Sequence, residues 1–380
     1  MSDPVQQHTQ FMQRALELAL AGLYTTAPNP RVGCLLVRDG EVIGSGFHRL
    51  AGTAHAEINA IADARSRGHQ TAGASAYVTL EPCSHTGKTP PCCEALIAAQ
   101  IAAVWVGMVD PNPLVAGRGI AALRAAAIEV EVGLLESECR ALNPGFIMRM
   151  ESGRPRVRAK LAMSLDGRTA MASGESQWIT GAPARSAVQQ LRAQSCAIVS
   201  GINTVLQDNA SLTVRVDELG LAAELAAQAA QTQPLRVVLD STLRLPPTAK
   251  LLSQPGATVI VAAGKNTAAE QALVAAGAEV IYLPASDGKI DLPALLAVLA
   301  QRQCNEVLLE CGATLAGAMA SQGLIDHYTV FMAPTLMGNT ARGLLALPLT
   351  TMAEQQRLHI DSITPVGDDW RIEARPASPG

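Results

Sequence analysis

The stretch HAEINAIADARSRG, residues 55–68, combines the pattern of a packing helix with two residues that packing does not require. Its apolar residues recur at helical spacing and predict a helix over residues 56–67. His55 and Glu57 stand at the start of that helix, within one turn of each other but pointing in different directions. This placement indicates a chemical site at the beginning of the helix.

Length and composition indicate a folded chain of two domains. The 380 residues exceed one ordinary hydrophobic core, and 48% hydrophobic against 16% charged residues argue for a soluble α/β protein. The net charge of −4 and the lack of a run of Lys or Arg argue against a nucleic-acid partner. No uncharged stretch is long enough to span a membrane, so a membrane partner is not expected.

The N-terminal segment and the cysteines indicate the compartment. Residues 8–23 have the apolar spacing of an amphipathic helix, not of a signal sequence. Eight cysteines are spread unevenly over a long chain, which argues against a disulfide framework and for thiols that are buried or bind metal. We therefore expect a cytoplasmic protein.

Helices and strands alternate along the first half of the chain. After the first helix, GCLLVRDGEVIGSGF (33–47) predicts a hairpin that turns at Asp39-Gly40. A strand at 75–82 comes next, and helices and strands then alternate at 93–100, 103–110, 118–127 and 128–135. Strands separated by helices imply a mixed or parallel sheet with helices on both faces.

The alternation breaks near NPGFIMRMESGRPRVR, residues 143–158, where Gly153 and Pro155 stand among charged residues. We place a domain boundary at about residue 150, which divides the chain into residues 1–150 and 151–380. The second part starts a new α/β alternation, with strands such as AIVSG and RVVLD and a helix at 291–302. Residues 218–233 are compositionally simple and predict a surface helix or a loop insertion.

The segment EPCSHTGKTPPCC, residues 81–93, supplies cysteines that fit a metal site together with His55. The thiolates of Cys83 and Cys92 and one imidazole nitrogen form a donor set suited to Zn²⁺. Three protein ligands leave the fourth tetrahedral position to water. Glu57 can reach that water, accept its proton and pass it to a leaving nitrogen.

This order of residues matches the HxE and PC parts of the zinc nucleobase-deaminase signature. It departs from the signature afterwards, because eight residues, not two, separate Cys83 from Cys92. Alternatives stay open: the cysteines could form a structural zinc site or be unrelated core thiols. Cys93 could replace Cys92 as ligand, and His85 could join the site.

Segments of both halves resemble the bifunctional deaminase–reductase family of riboflavin biosynthesis. They are TTAPNPRVGCLLV, GFHRLAGTAHAE and VTLEPCSHTGKTPPCCEAL, then KLAMSLDGRTAMASGESQWITG, LRAQSCAIVSGINTVLQDNASLTVR and ECGATLAGAMASQGLIDHYTVFMAPTLMG. The resemblance covers nearly the whole chain. It implies an α/β fold of two domains, a cytidine-deaminase-like α/β/α sandwich followed by a dihydrofolate-reductase-like α/β domain.

The resemblance implies two activities in one chain. The first domain would remove the 2-amino group of 2,5-diamino-6-ribosylamino-4(3H)-pyrimidinone 5′-phosphate by attack of a zinc-bound hydroxide. The second would use NADPH to reduce the ribosyl side chain, giving 5-amino-6-ribitylamino-uracil 5′-phosphate. The implied cofactors are therefore Zn²⁺ and NADPH, and the implied partner is a phosphorylated pyrimidine. We also expect a homo-oligomer.

The resemblance also assigns roles to single residues. It makes His55, Cys83 and Cys92 the zinc ligands and Glu57 the proton shuttle, and it places substrate contacts at Asn29, His48 and Lys88. In the second domain the residues assigned to the cofactor are Ala162, Trp178, Thr204, Asp208, Gly312, Ala313, Thr314, Leu315, Ala316, Gly317 and Ala318. Those assigned to the substrate are Lys160, Ser176, Arg192, Leu212, Arg215 and Glu310.

Without the resemblance, the second half offers weaker signals. It lacks GxGxxG after its first strand, which argues against the usual dinucleotide fold. Gly312 follows a buried strand at the start of a helix, where backbone N–H groups can hold a phosphate, although packing alone would also explain it. Arg192 and Arg215 suit a phosphate because the guanidinium binds it in a bidentate way. Trp178 could cover a flat ring or simply pack.

Other interpretations remain open at the level of sequence. Asn29, His48 and Lys88 could equally be a turn residue, a strand-end residue and a solvated lysine. The zinc domain could deaminate a free nucleoside or a tRNA base, although the weak basic character argues against a polynucleotide. The second domain could be a binding or dimerisation module without activity.

Overall fold

The computed structural model describes residues 4–84 and 91–377. Backbone contacts divide the chain into a first unit, Met1–Arg154, and a second unit, Pro155–Gly380. The stretch in which the sequence pattern breaks contains a helix, Pro144–Ser152, that ends at Gly153 with a φ of 68°. The division along the chain falls just after this helix.

Five strands form the sheet of the first unit. They are β1 (Gly33–Arg38), β2 (Glu41–Phe47), β3 (Ser75–Val78), β4 (Ala103–Val106) and β5 (Glu129–Val132), in the order β2-β1-β3-β4-β5. Strand β1 pairs antiparallel with β2 and β3, whereas β3, β4 and β5 are parallel. The predicted mixed sheet is confirmed, and Asp39 and Gly40 take the positive φ angles, 52° and 81°, of a tight hairpin turn.

Helices cover both faces of this sheet, as predicted. They are α1 (Pro4–Leu20), α2 (Ala56–Ser66), α3 (Cys92–Ala98), α4 (Arg118–Ala125), α5 (Glu136–Leu142) and α6 (Pro144–Ser152). Helices α2, α3 and α4 pack on one face through residues such as Ala60, Leu96 and Leu123. Helices α1, α5 and α6 pack on the other through residues such as Met12 and Phe146. Helices α5 and α6 were not predicted from the sequence; α6 starts with Pro144 and Gly145, in the stretch where the apolar alternation breaks.

Glycines in β2 let helix α2 contact the sheet with its backbone. A side-chain carbon at Gly46 would lie 2.4 Å from both the carbonyl oxygen of Ala56 and the amide nitrogen of Ala60. Asn59 donates hydrogen bonds from Nδ2 to the carbonyl oxygens of Phe47, at 2.8 Å, and Ala54, at 3.2 Å. These contacts fix the position of the start of α2, where His55 and Glu57 lie.

The second unit is built on a nine-stranded sheet. Its strands are β6 (Arg156–Ser164), β8 (Ala197–Gly201), β9 (Leu235–Leu239), β10 (Thr258–Ala262), β11 (Glu279–Tyr282), β12 (Glu306–Leu309), β13 (His327–Ala333), β15 (Leu358–Val366) and β16 (Asp369–Pro376). Two further strands, β7 (Arg168–Ala170) and β14 (Arg342–Gly343), pair with each other in a separate two-stranded sheet. The order is β11-β10-β9-β8-β12-β6-β13-β16-β15. The first seven strands in this order are parallel, and β16 and β15 follow as an antiparallel hairpin.

Helices also cover both faces of the second sheet. They are α7 (Ala182–Ala193), α8 (Ile202–Asp208), α9 (Ala223–Gln231), α10 (Thr267–Ala275), α11 (Leu292–Gln301) and α12 (Ala313–Ser321). Helices α11 and α12 bury Leu295 and Met319 on one face, and α7, α8 and α10 bury Leu191, Val205 and Leu273 on the other. The simple segment at 218–233 contains helix α9. In the described part of the chain, no helix is both long enough and apolar enough to cross a membrane.

We predict that Gly46→Ala destabilises the first unit, because the new methyl group would overlap the backbone of α2. Overpacking of this kind lowers the free energy of unfolding by about 2 kcal/mol. Glu41→Ala, at an exposed position of the same strand, is the matched control. Chemical denaturation followed by circular dichroism measures both, and equal stability of the two variants would contradict the contact.

Candidate functional site

Three residues distant in sequence converge beside the first sheet. His55 directly precedes α2, Cys83 lies in the loop after β3, and Cys92 begins α3. The imidazole Nδ1 lies 3.6 Å from the Sγ atom of Cys83 and 3.3 Å from that of Cys92. Their potential ligand atoms all lie within 4.8 Å of one another. The structure thus brings the three predicted zinc ligands together.

The geometry of this cluster fits zinc. Tetrahedral bonds of about 2.3 Å to sulfur and 2.0 Å to nitrogen separate the two donor atoms by about 3.5 Å. Both measured nitrogen–sulfur distances are close to that value. Within the described residues the cluster has three members, the number expected when one coordination position serves water.

Neighbouring groups change the pKa values of the two thiols in the cluster. A hydrogen bond from the Cys92 thiol, together with His55, lowers the pKa of Cys83 to about 4, and the same bond raises the pKa of Cys92. The backbone N–H of Cys92 also donates to the Cys83 sulfur at 3.3 Å. A divalent cation binds sulfur as thiolate and so displaces the thiol proton of Cys92.

Glu57 is a buried acid beside the cluster. It lies in the first turn of α2 and is 3% exposed. Burial, with a contribution from the charge of Cys83, raises the pKa of Glu57 to about 7, while the carboxylate accepts a hydrogen bond from Cys92. A carboxyl group in this state can both accept and donate a proton near neutral pH.

Asn29 and His48 form a connected pair next to His55. The side-chain amide of Asn29 donates from Nδ2 to Nε2 of His48 at 3.1 Å, and Nδ1 of His48 donates to the Ala54 carbonyl at 3.2 Å. Burial lowers the pKa of His48, so the neutral ring fits these two bonds. His48 thereby fixes the orientation of the Asn29 amide, and its ring packs edge-on against His55.

The structure separates the two neighbouring cysteines. Cys92 joins the cluster, whereas the side chain of Cys93 packs in the apolar core with Leu96 and Ala60. The alternative in which Cys93 replaces Cys92 is therefore not supported. His85, and Lys88 with its predicted substrate contact, lie outside the described residues.

Glu81, a residue without a predicted role, holds the Pro82-Cys83 segment in place. Its buried carboxylate accepts hydrogen bonds from the backbone N–H groups of Asp110, Gly117, Gly119 and Ile120 at 2.9–3.3 Å. Helix α4 also approaches closely, since a side-chain carbon at Gly119 would lie 1.9 Å from the Pro82 carbonyl oxygen. Nothing in the local sequence distinguishes this glutamate from a solvated one.

A cavity of about 1360 Å³ runs along the carboxyl ends of the parallel strands in the second unit. Most of the predicted residues line it. Those residues are Lys160, Ala162, Ser176, Trp178, Arg192, Thr204, Asp208, Leu212, Arg215, Glu310, Gly312, Ala313, Thr314, Leu315 and Ala318. Trp178 is 70% exposed and lies under the guanidinium of Arg185, so simple packing does not explain it.

Ala316 and Gly317 are exceptions among the predicted cofactor contacts, since neither lines the cavity. Both are buried in helix α12. A side-chain carbon at Gly317 would lie 2.3 Å from the carbonyl oxygen of Ala346, so this glycine serves close packing. Their predicted contact with the cofactor stays a prediction.

Buried charges concentrate at one end of the cavity. Arg192 donates to Glu310 in a bidentate pair, with Nε–Oε1 and Nη2–Oε2 distances of 2.7 and 2.9 Å, and Nη1 donates to the Thr213 carbonyl. Arg192 is thus largely engaged within the protein, not simply available as a phosphate clamp. Burial opposes ionisation of Glu310, but Arg192 outweighs it and lowers the pKa of this carboxyl group. Burial also lowers the pKa of Lys160.

The turn before α12 borders the cavity. Gly312 precedes the first residue of the helix, and its backbone N–H donates to Oγ1 of Thr204 at 3.1 Å. Both residues line the cavity where β8 and β12 end side by side. Cys311 also lines it, and burial raises the pKa of its thiol to about 12, which keeps the thiol uncharged.

Two family models match the two units. The cytidine and deoxycytidylate deaminase zinc-binding region matches residues 5–108, and the RibD C-terminal domain matches residues 155–372. Together with the two sites, these matches define a two-domain enzyme that joins a zinc-dependent deaminase to a pyrimidine reductase that uses NADPH.

Relatives that match over nearly the whole chain identify the family more specifically than the two family models do. RibD of Escherichia coli K12, a riboflavin biosynthesis protein, is 47% identical and covers 96% of this chain and 98% of its own length. RibD of Haemophilus influenzae is 45% identical with 96% of each chain covered. The solved structure of Acinetobacter baumannii RibD is 45% identical, with a TM-score of 0.89 and coverage of 98% and 100%. The chain belongs to the RibD family of riboflavin biosynthesis proteins.

A solved structure of lower sequence identity also matches over nearly the full length of both chains. It is the diaminohydroxyphosphoribosylaminopyrimidine deaminase/5-amino-6-(5-phosphoribosylamino)uracil reductase of Thermotoga maritima, 31% identical, with a TM-score of 0.85. The match covers 99% of this chain and 100% of that one. The two-domain α/β fold expected from the sequence is confirmed by these likenesses.

We predict that the two neighbouring cysteines respond differently to substitution. Cys92→Ser should lose bound zinc, because it removes one of three donors, whereas Cys93→Ser should retain it. Metal analysis of the purified variants and cobalt–thiolate absorption after exchange measure the difference. Zinc loss from Cys93→Ser alone would contradict the observed geometry.

Proposed function

We propose that this chain catalyses two reactions of riboflavin biosynthesis on a phosphorylated pyrimidine. The first removes the 2-amino group of 2,5-diamino-6-ribosylamino-4(3H)-pyrimidinone 5′-phosphate. The second reduces the ribosyl side chain with NADPH, giving 5-amino-6-ribitylamino-uracil 5′-phosphate. The names of the activities carried by the Thermotoga relative support this substrate pair. The observation that carries the proposal is the three-member cluster with buried Glu57 beside it.

We assign deamination to residues 1–150 and His55, Cys83 and Cys92 to zinc. Bound zinc lowers the pKa of a coordinated water toward about 7. Glu57 takes a proton from the water that attacks C2 of the pyrimidine, and returns it to the departing amino group, which leaves as ammonia. Asn29, oriented by His48, binds the pyrimidine edge because its amide both donates and accepts. Lys88 remains a predicted phosphate contact.

We assign reduction to residues 151–380. NADPH supplies the hydride that reaches C1′ of the ribose. The backbone at Gly312, with Thr204, binds the cofactor phosphates, and Trp178, Ala162 and Asp208 lie along the rest of the cofactor.

The substrate lies at the charged end of this cavity. Reduction consumes one proton as the ribose ring opens, and the partly buried ammonium of Lys160, with its lowered pKa, is suited to supply it. Arg192 holds Glu310 in its charged form. The half-exposed Arg215, which pairs with Glu218, contacts the phosphorylated side chain together with Ser176 and Leu212.

The proposal is tested by incubating the protein with the diaminopyrimidine phosphate, with and without NADPH, and identifying the products by mass. Ammonia release should not need NADPH, and a gain of two hydrogens should need it. Glu57→Gln should keep zinc but lose deamination by at least about 100-fold, because the proton shuttle is gone. The variant should still reduce deaminated substrate.

Two results would count against these assignments. Loss of zinc together with activity in Glu57→Gln would contradict the shuttle role. A wild-type protein that deaminates but never gains hydrogen would favour the alternative of a second unit without activity.

We also propose that the chain forms a homo-oligomer through the β15–β16 hairpin. Strand β15 lies at the edge of the nine-stranded sheet, and all but its last residue are exposed. Its apolar side chains include Ile360 and Ile363, each 53% exposed, and Trp370 on β16 is also exposed. A long apolar edge strand of this kind is normally covered by another chain.

We predict that Ile360→Glu reduces the assembly to monomers, because it places a charge in the apolar edge. Val274→Glu, at an equally exposed apolar position on α10, is the matched control. Light scattering after size-exclusion chromatography gives the mass of each. An unchanged mass for Ile360→Glu, or a monomeric wild type, would contradict the proposed surface.

We place the protein in the cytoplasm. All eight cysteines are free of disulfides in the structure, and two of them are proposed zinc ligands. Thiolate ligands persist in a reducing compartment.

A further inference from the structure

The cavity of the second unit extends well beyond the charged end that suits the substrate. It passes from Lys160 on β6 to Glu310 after β12, Gly201 at the end of β8, and Ser241 after β9, and it reaches residues 285–293 after β11. In the sheet order, β6 and β11 are five strand spacings apart. At about 4.8 Å per spacing the cavity spans about 24 Å, enough for an extended dinucleotide.

The direction of the cofactor follows from this arrangement. The group that donates hydride must lie near Lys160 and Glu310, where the substrate binds. The phosphate-binding turn at Gly312 occupies the middle of the cavity. The adenosine end of NADPH therefore extends toward the carboxyl end of β9 and residues 285–293.

Charged side chains at that far end are Lys250, Asp287, Lys289 and Asp291. Lys289 pairs with Asp287 at 2.8 Å, and the carboxylate of Asp291 accepts a hydrogen bond from the backbone N–H of Ala294 at the start of α11. Lys250 is exposed to the cavity and makes no ion pair with any residue in the described part of the chain. It is the cation at this end whose charge is not already neutralised.

Arg244 lies on the same segment but is committed elsewhere. Its Nη2 donates to Oδ1 of Asn203 at 2.8 Å, its Nε lies 3.9 Å from Asp240, and it does not line the cavity. The hydroxyl groups of Ser241 and Ser286 do line the same end as Lys250 and can donate hydrogen bonds to an anion.

We propose that Lys250 binds the 2′-phosphate of NADPH and makes the second unit discriminate against NADH. This inference rests on the proposed reductase function. The 2′-phosphate is the group that distinguishes the two cofactors, and a lysine ammonium binds a phosphate as a point charge. Lys250 thus determines cofactor specificity without touching the reacting atoms.

The test measures binding, not turnover. The fluorescence of the full-length protein, in which Trp178 lines the cavity, is titrated with NADPH, NADH, 2′,5′-ADP and 5′-ADP. Lys250→Gln should weaken binding of NADPH and of 2′,5′-ADP roughly tenfold, the loss expected for one charged hydrogen bond. Binding of NADH and 5′-ADP should stay the same.

Two further variants keep the outcome interpretable. Arg302→Gln removes a positive charge from the opposite end of α11, where Arg302 pairs with Glu279, and should change no affinity. Arg244→Gln tests the neighbouring cation. The assignment would be overturned if Lys250→Gln weakened the binding of NADPH and NADH equally, or weakened neither. It would also be overturned if only Arg244→Gln lost the preference for NADPH over NADH.

The wild-type titration separates this inference from the proposed function. A wild type that binds NADPH and NADH equally would overturn the inference and leave the reductase function standing. A wild type that binds neither would count against the reductase function itself.

Discussion

Both sites depend on one constraint, that parallel strands end at a common edge of their sheet. At that edge the chain leaves each strand in a loop, and the next helix often starts there with its backbone N–H groups uncovered. In the first unit Cys83 lies in the loop after β3, beside the parallel strand β4. In the second unit the cavity follows the ends of β6, β12, β8 and β9. Side chains far apart in sequence meet because their strands end side by side.

Close backbone packing fixes the positions of the segments that carry the first site. Helix α2 lies directly on the glycines of β2, and α4 lies directly on the Pro82 carbonyl. Glu81 accepts four backbone hydrogen bonds in the same region, which satisfies N–H groups around the start of α4. The proposed metal ligands are therefore carried by segments whose positions are fixed by backbone packing. A zinc site with one open position needs this rigidity, because the fourth position contributes no protein ligand to hold the geometry.

The second site uses buried charge in a different way. Glu310 is buried and Arg192 and Lys160 are partly buried, and a charge in such a place is tolerated only with a partner. The bidentate Arg192–Glu310 pair meets that requirement and leaves Lys160 with a lowered pKa. The far end of the same cavity holds the exposed Lys250, which makes no ion pair with any other residue that the structure describes. One cavity thus combines a region of low dielectric, suited to chemistry, with a wetter region suited to recognising charge.

The sequence by itself determined the elements whose signals are local. The hairpin at Asp39-Gly40, the helix after His55 and the alternation of strands and helices follow from residue spacing and turn chemistry, and HxE with the following cysteines indicated a metal site. Helices α5 and α6 were not found, because their burial depends on neighbours remote in sequence, and the largely exposed β15–β16 hairpin was not found either. Only the tertiary structure separated Cys92 from Cys93, paired Arg192 with Glu310, and gave Glu81 its four donors. These contacts join residues that are far apart in sequence. Residue spacing along the chain does not predict which distant groups will pair with a buried charge.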